Sequence, residues 1–488
     1  MKQTKIIATI GPASESPETL EKLYHAGANI ARINCSHFDE EEFLHKVNII
    51  TELNQNGKTN FSIMLDTKGP EIRTTLMETP LEVKAGDTVI VTIPEFADKF
   101  EKRLVSDYPY TIIDEQVGNL IDVDCGLLSL SIQEKNSDHL VCYAHHSYTI
   151  KSRRHINLPG ITLKFPGLTD IDKYHIQFGI ENGIHLVAMS FVRDKSHIQE
   201  YRAFLHEINA PKIPVIAKIE TLDAVEKVDE IIMEADGIMV ARGDLGAQVP
   251  MEQLPSVQEM IVKKCLLAGK PVIVATNMLE SMIDNPTPTR AELTDVHNAV
   301  KQSADATMLS GESAIGKYPV EAVTMMRKII SYTEEITDKS HQHFVRNIGI
   351  DENKKEVIRM SLYLADKIDA KAIVVFTHTG FMGKTAAALR PEQPVYAFTF
   401  SDATVKNLAL HYGVNPVLIK ESNNTQHLEV AKNYLLENFI LKKGDTIVVL
   451  IDGNANQESA PEMKVVTCLL YTSPSPRDSR ASRMPSSA

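Results

Sequence analysis

PVIAKIE (residues 214–220) is a nearly apolar segment that ends in a cation and a carboxylate. Five of its seven residues are apolar, which reads as a buried strand. Residues two apart on a strand face the same side, so Lys218 and Glu220 leave one face together. Seven similar runs lie around it. They are TKIIATI (4–10), GANIARINC (27–35), FSIMLDT (61–67), LVAMSF (186–191), GIMVARGD (237–244), PVIVAT (271–276) and ATMLSGE (306–312). Helical stretches such as SPETLEKLYHAG and FDEEEFLHKVNIITELNQNG stand between them. Apolar strands alternating with helices favour a parallel sheet covered on both faces. Eight such units predict a (β/α)8 barrel, in an α/β chain.

The texture changes between residues 70 and 167. This part is rich in Thr, Val, Asp and Gly, and alternates in DTVIVTI and DHLVCYA. It predicts a small β-barrel lid domain inserted after the third strand, leaving 1–69 and 168–340 to the catalytic barrel. An amphipathic stretch at 320–338 and a polar one at 338–353 follow. A third βα region then carries AIVVFT (372–377), PVYAFTF (394–400), NPVLI (415–419), DTIVVLI (445–451) and MKVVT (463–467). It predicts a C-terminal doubly wound α/β domain over 350–467. Residues 468–488 are rich in Ser, Pro and Arg, with little periodicity, and are expected to be a disordered, non-native tail.

Of the 488 residues, 43% are hydrophobic and 24% charged, as in a globular chain with sizeable cores. The formal net charge of -13 argues against non-specific binding to nucleic acid or acidic membranes. No run of 18 apolar residues offers a membrane span, and Met1-Lys2 leads straight into a strand-like run without a signal peptide. Five cysteines without CxxC or metal-ligand spacing suit a reducing compartment, so a cytoplasmic protein is expected.

In barrels of this kind the chemistry sits at the C-terminal ends of the strands. Strand two ends with Arg32, Asn34 and Ser36; strand three with Asp66, Thr67 and Lys68, followed by Arg73. Strand four ends with Ser190, and strand five supplies Lys218 and Glu220. The last three offer Arg242, Gly243 and Asp244, then Thr276 and Asn277, then Ser310 and Glu312. A single polar residue there is usually a helix cap; seven ends of eight are harder to explain that way. Glu220 and Asp244 are hard oxygen ligands on neighbouring strands, suited to Mg2+ with substrate oxygens and waters. Arg32, Arg73 and Lys218 supply positive charge for an anionic substrate. Gly243 permits close backbone approach. Asn34, Ser36, Asp66 and Thr67 form an oxygen-rich set with one charge, suited to a large monovalent cation. These are the parts of phosphoryl transfer, in which positioning and charge neutralisation dominate.

At this point the motifs resemble the pyruvate kinase family. They are TKIIATIGPAS (4–14), NIARINCSH (29–37), LDTKGPEIR (65–73), IAKIE (216–220), IMVARGDLG (238–246), ATNMLESM (275–282), PTRAELTDV (288–296) and MLSGESA (308–314). The resemblance runs in order from residue 1 to about 467. It implies transfer of the phosphoryl group of phosphoenolpyruvate to ADP, giving pyruvate and ATP. It implies that Lys218 stabilises the phosphoryl group in flight, and that Glu220 and Asp244 hold Mg2+ (or Mn2+). Arg32, Lys218, Gly243, Asp244 and Thr276 are expected to contact substrate. The resemblance implies that Arg32 and Thr276 are catalytic with Lys218, with Thr276 near the enolate carbon in a water-mediated proton relay. Asn34, Ser36, Asp66 and Thr67 are expected to bind K+, and Glu71, where K+-independent members carry Lys, implies K+ dependence. Asn34, His37, Arg73 and Arg154 are the expected nucleotide contacts. Arg154 stands for the lysine of the family's KGVNLPG motif, in RHINLPG (154–160), and His155 replaces its glycine. THTG (377–380) resembles the family's effector loop, so Thr377, Thr379 and Gly380 are candidates for a phosphorylated allosteric effector. A homotetramer is expected by analogy. A non-catalytic paralogue should have lost Lys218, Glu220, Asp244 or Arg32, and all four are present. Another Mg-dependent enolate enzyme is disfavoured by the nucleotide-side residues and the lid.

Overall fold

Alternation with period two sorts the eight apolar runs into one closed ring. The computed structural model describes residues 2–101, 103–108, 115–124, 126–159, 165–337, 352–420, 424–451 and 462–467. The tail 468–488, most of the polar stretch 338–353 and the side chain of His37 lie outside the described residues. The barrel strands are β1 (Lys5–Thr9), β2 (Ile30–Asn34), β3 (Ser62–Asp66), β4 (Leu186–Met189), β5 (Val215–Ile219), β6 (Gly237–Ala241), β7 (Val272–Ala275) and β8 (Ala306–Leu309). They close in chain order, every pair parallel, with β1 bonded to both β2 and β8.

Along each strand one set of residues faces the barrel axis and the other faces the helices. The inward set packs as Ile7, Ile30, Met64, Ala188, Ile216, Met239, Ile273 and Met308 with their neighbours. The outward set, including Ile6, Ala31, Leu65, Val187, Ala217, Val240 and Val274, packs under the helical layer. Both faces are therefore buried, which is why these strands read as continuous apolar runs. The helices begin where side chains satisfy their free N–H groups. Ser16 caps Pro17–Ala26, and Thr169 with Asp172 makes a capping box on Asp170–Glu181.

The insert forms a seven-stranded sheet. Its order is Ile72–Arg73, His155–Asn157, Leu120–Val123, Leu128–Lys135, Leu140–Ala144, Thr88–Thr92 and Arg103–Val105. The bridge Thr74↔Ser106 joins its two edges, with Thr75 N bonded to Val105 O at 2.9 Å, so the sheet closes on itself. Its interior is the cluster around Val91, Leu104, Ile121, Leu130 and Cys142.

The described chain divides into two compact units, one holding the barrel and insert, the other the C-terminal sheet. That sheet comprises β9 (Ala372–Phe376), β10 (Val395–Thr399), β11 (Val414–Leu418), β12 (Thr446–Ile451) and β13 (Glu462–Thr467), in the order β11-β10-β9-β12-β13. Only β13 is antiparallel. The chain switches direction of travel across the sheet at β9, the doubly wound pattern.

Candidate active site

One step beyond the inward apolar layer, the same strand face turns polar. Ile7 is followed two residues on by Thr9, Ile30 by Arg32, Met64 by Asp66, Ala188 by Ser190 and Ile216 by Lys218. Period two thus aims all five at the barrel mouth. They form one network. Arg32 Nε donates to Asp66 Oδ2 at 2.6 Å, and Arg32 Nη1 to Thr9 Oγ1 at 2.9 Å. Lys218 Nζ donates to Asp66 Oδ1 at 3.1 Å and to Ser190 Oγ at 2.7 Å. Asp66 is 0% exposed. Burial opposes its charge, but Arg32 and Lys218 more than offset this and hold the carboxyl below its ordinary range. Burial likewise opposes the Lys218 charge, and the carboxylates of Asp66 and Glu220 raise its pKa above the ordinary value. Lys218 is therefore a fixed cation.

Glu220 stands just past β5. Its Oε2 accepts the Phe191 N–H at 2.7 Å, fixing a residue with a φ of 53°. Its Oε1 is buried and accepts no hydrogen bond, although Lys218 Nζ lies 2.9 Å away. The ammonium's hydrogen bonds go to Asp66 and Ser190 instead. Burial, with the nearby charge of Asp244 adding to it and Lys218 working against it, pushes the Glu220 carboxyl up to about 7. The Asp244 carboxylate lines the same cleft. A buried carboxylate that Lys218 meets by ion pairing, beside a second carboxylate in the same cleft, fits a divalent cation. No cluster of three or more His, Cys, Asp or Glu ligands occurs among the described residues, so a cation held by these two carboxylates would take its other ligands from substrate, backbone or water.

Thr276 follows β7 with a φ of 71°, the left-handed region that a β-branched residue rarely adopts. Such strain costs about 1–3 kcal/mol and persists only when its surroundings enforce it. Here Arg242 does so. Its guanidinium donates to the carbonyls of Ala275 at 3.3 Å, Thr276 at 2.6 Å and Asn277 at 3.4 Å, and Asp295 anchors it at 2.6 Å. Thr276 Oγ1 in turn accepts the Gly243 N–H at 2.8 Å. An added Cβ at Gly243 would lie 3.7 Å from Thr276, ordinary contact, so protein packing does not explain the glycine. Arg242 thus positions the loop rather than pairing with Asp244.

The oxygen-rich set gathers beside Asp66. Asn34 is the register partner of Asp66 across β2 and β3. Asn34 Oδ1 accepts Ser36 N at 3.2 Å and Ser36 Oγ at 3.0 Å. Thr67 Oγ1 accepts Ser190 N at 3.0 Å. All these donors are oxygen and only one is charged, which fits K+.

At the lid base, Arg73 is held from three sides. Its Nε reaches Glu71 at 2.7 Å, its Nη1 the Arg153 carbonyl at 2.8 Å, and its Nη2 the His155 ring at 2.8 Å. The same ring nitrogen, Nε2, faces Glu71 Oε2, which also pairs with Arg73 Nη2 at 2.5 Å, so Arg73 and His155 meet on one carboxylate. The nucleotide candidates are brought together only in part. Asn34 and Arg73 line the cleft with Arg32, Lys218, Glu220 and Thr276, as does His155. Arg154 instead lies 3.6 Å from Asp124 of the lid. Gly69 marks the start of the insert, with a φ of 70°. Its N–H donates to Asp172 at 3.0 Å, and a Cβ there would lie 2.6 Å from the Ser190 Cβ.

Some strand-end residues have other work. Glu312 is 2% exposed and accepts the N–H groups of Leu279 at 3.0 Å and Ser310 at 2.7 Å. It braces loops and does not line the cleft. Thr9 was missed because its strand end looks apolar; its place two residues after Ile7 was the available signal. In the C-terminal unit, Thr377 follows β9 and its Oγ1 accepts Gly380 N at 3.1 Å. Gly380 has a φ of 83° and leads into helix Phe381–Ala388, with Thr379 exposed.

Comparisons with known proteins bear on the family and the fold. The family model described as "Pyruvate kinase, barrel domain" matches residues 1–323, and "Pyruvate kinase, alpha/beta domain" matches 355–466. A pyruvate kinase of Bacillus licheniformis is 41% identical over 470 residues, covering 95% of this chain and 80% of that protein. The chloroplastic pyruvate kinase isozyme G of Nicotiana tabacum is 38% identical over 454 residues, covering 93% and 80%. A crystal structure of a pyruvate kinase from Cryptosporidium parvum superposes with a TM-score of 0.88 at 33% identity, covering 96% of each chain. On these matches and on the fold, the chain belongs to the pyruvate kinase family.

Proposed function

We propose a division of labour among the cleft residues for the family's reaction, transfer of the phosphoryl group from phosphoenolpyruvate to ADP. The observation that carries it is the buried Lys218 cation, ion-paired to Glu220 at 2.9 Å and sharing one cleft with Asp244. Lys218 neutralises charge on the phosphoryl group as it moves, where a preorganised cation is worth most. Arg32, tied to Asp66 and Thr9, orients the anionic substrate. Glu220 and Asp244 hold Mg2+ or Mn2+, which when bound supplies charge neutralisation at substrate oxygens. Asn34, Ser36, Asp66 and Thr67 hold K+. Thr276, set by Arg242, faces the enolate left after transfer and takes part in returning a proton to its carbon, giving pyruvate. Gly243 offers backbone close to the substrate, and Asn34, His37, Arg73 and Arg154 receive the nucleotide. The insert acts as a lid that excludes water from the enolate.

Homotetramer assembly, a phosphorylated effector at Thr377, Thr379 and Gly380, and cytoplasmic residence belong to the same proposal. No described helix is long and apolar enough to cross a membrane. The test is Mn2+ binding followed by electron paramagnetic resonance. Glu220→Gln should weaken it by more than the ~10–100-fold typical of losing an outer-shell partner. Unchanged affinity would overturn the metal assignment.

A further inference from the structure

A second cavity of about 210 Å3 lies between the lid base and the barrel rim. Glu71, His155 and Phe191 border both this cavity and the catalytic cleft. The lid contributes Ile72 and Asn157; the barrel contributes Arg193, Asp223, Glu226 and Gln248. Two of these side chains carry buried donors without a partner. Arg193 is 5% exposed and Asn157 8% exposed. Arg193 Nη1 and Asn157 Nδ2 make no hydrogen bond. The Arg193 guanidinium has an aromatic neighbour, Phe165, 5.3 Å from its ring centre, and among the described residues it forms no ion pair, though the charge of Asp223 supports it from a distance. Burial outweighs the support of Asp223 and lowers the Arg193 pKa, and each orphaned donor adds its own desolvation cost.

We propose that this cavity binds a small monocarboxylate, taken up by Arg193 Nη1 and Asn157 Nδ2. A guanidinium matches the two oxygens of a carboxylate. Asp223 and the exposed Glu226 on the rim disfavour a doubly charged phosphate. Asn157 lies on the lid strand His155–Asn157 and Arg193 on the loop after β4, so one ligand bridges lid and barrel. Such a bridge bears on Arg73, which His155 and Glu71 hold; this consequence rests on the nucleotide role proposed for Arg73.

The test uses glycolate as probe and the full chain with saturating phosphoenolpyruvate and Mg2+ but no ADP, which keeps the probe out of the catalytic cleft. Saturation-transfer NMR should detect glycolate on the parent and on Lys218→Met, but not on Arg193→Gln or Asn157→Leu. The second variant carries the test if the first fails to fold. No signal on the parent, or a signal kept by a folded Arg193 or Asn157 variant, overturns the site. In steady-state assays glycolate should change the KM for ADP by about fivefold, the low end for coupled sites. NMR binding without that change would retain the site but overturn its coupling to the lid.

Discussion

Replacing Lys218 by Met removes the fixed cation while keeping most of the side chain's length. In the parent, Lys218 Nζ lies 3.1 Å from Asp66, 2.9 Å from Glu220 and 2.7 Å from Ser190 Oγ. Two consequences have different sizes. For the reaction, a unit charge about 4 Å from a developing anion is worth about 4 kcal/mol at an effective dielectric constant near 20. That converts to a loss in kcat of roughly 10³-fold, within the range for preorganised electrostatic groups. The KM for phosphoenolpyruvate should change far less, because Arg32 keeps its bonds to Asp66 and Thr9. For stability, breaking a buried pair costs about 3–5 kcal/mol when a charge is left alone. Here Asp66 keeps Arg32 at 2.6 Å, and Glu220, already pushed up to about 7, can take a proton. The loss should fall below that range at pH 6 and grow as pH rises. The direction follows from the raised folded-state pKa: the native state holds the proton that the unfolded state releases above about 4.5. Circular dichroism with thermal melts at pH 6 and 8 checks the fold, and a coupled assay checks the rate. A folded variant turning over within tenfold of the parent would refute the role given to Lys218.

Three further outcomes are expected. Mg2+ affinity, measured by calorimetry, should fall about tenfold per pH unit below pH 7, because Glu220 must lose its proton to bind the cation; affinity flat from pH 5 to 8 would contradict this. Thr276→Ser should keep most activity and relax the left-handed strain, while Thr276→Val should lose up to about 10²-fold in kcat, since it orphans the Gly243 N–H and removes the hydroxyl; equal rates in both variants would remove the hydroxyl from the mechanism. Gly69→Ala should destabilise by about 2–4 kcal/mol in chemical denaturation, from its positive φ and the 2.6 Å approach to Ser190; a cost under 0.5 kcal/mol would show that the Ser190 contact yields freely.

The barrel was legible because both faces of its strands are buried, so each strand announced itself as a short apolar run. The pair Lys218 and Glu220 was legible for the same reason: charge at the end of such a run has few structural uses. Spacing also carried Arg32 and Asp66, which lie two residues beyond Ile30 and Met64. What spacing does not carry is partner choice. Arg242 and Glu312 look as catalytic at a strand end as Lys218 does, yet one clamps three carbonyls and the other braces two N–H groups. Both contacts depend on loop paths from other strands, and the φ of Thr276 depends on that same clamp. His155 stood out as a replaced glycine, but its place between Glu71 and Arg73 needed the antiparallel pairing of Ile72–Arg73 with His155–Asn157.

Lys218, Glu220, Asp244 and Arg32 are proposed to serve one phosphoryl transfer. The most direct test is pyruvate formation by the purified full chain from phosphoenolpyruvate, ADP and Mg2+, followed by a coupled assay with and without K+. Pyruvate in amounts matching ATP is the expected result, with a rate that depends on K+ as proposed. A folded protein that forms no pyruvate with both cations present would contradict it.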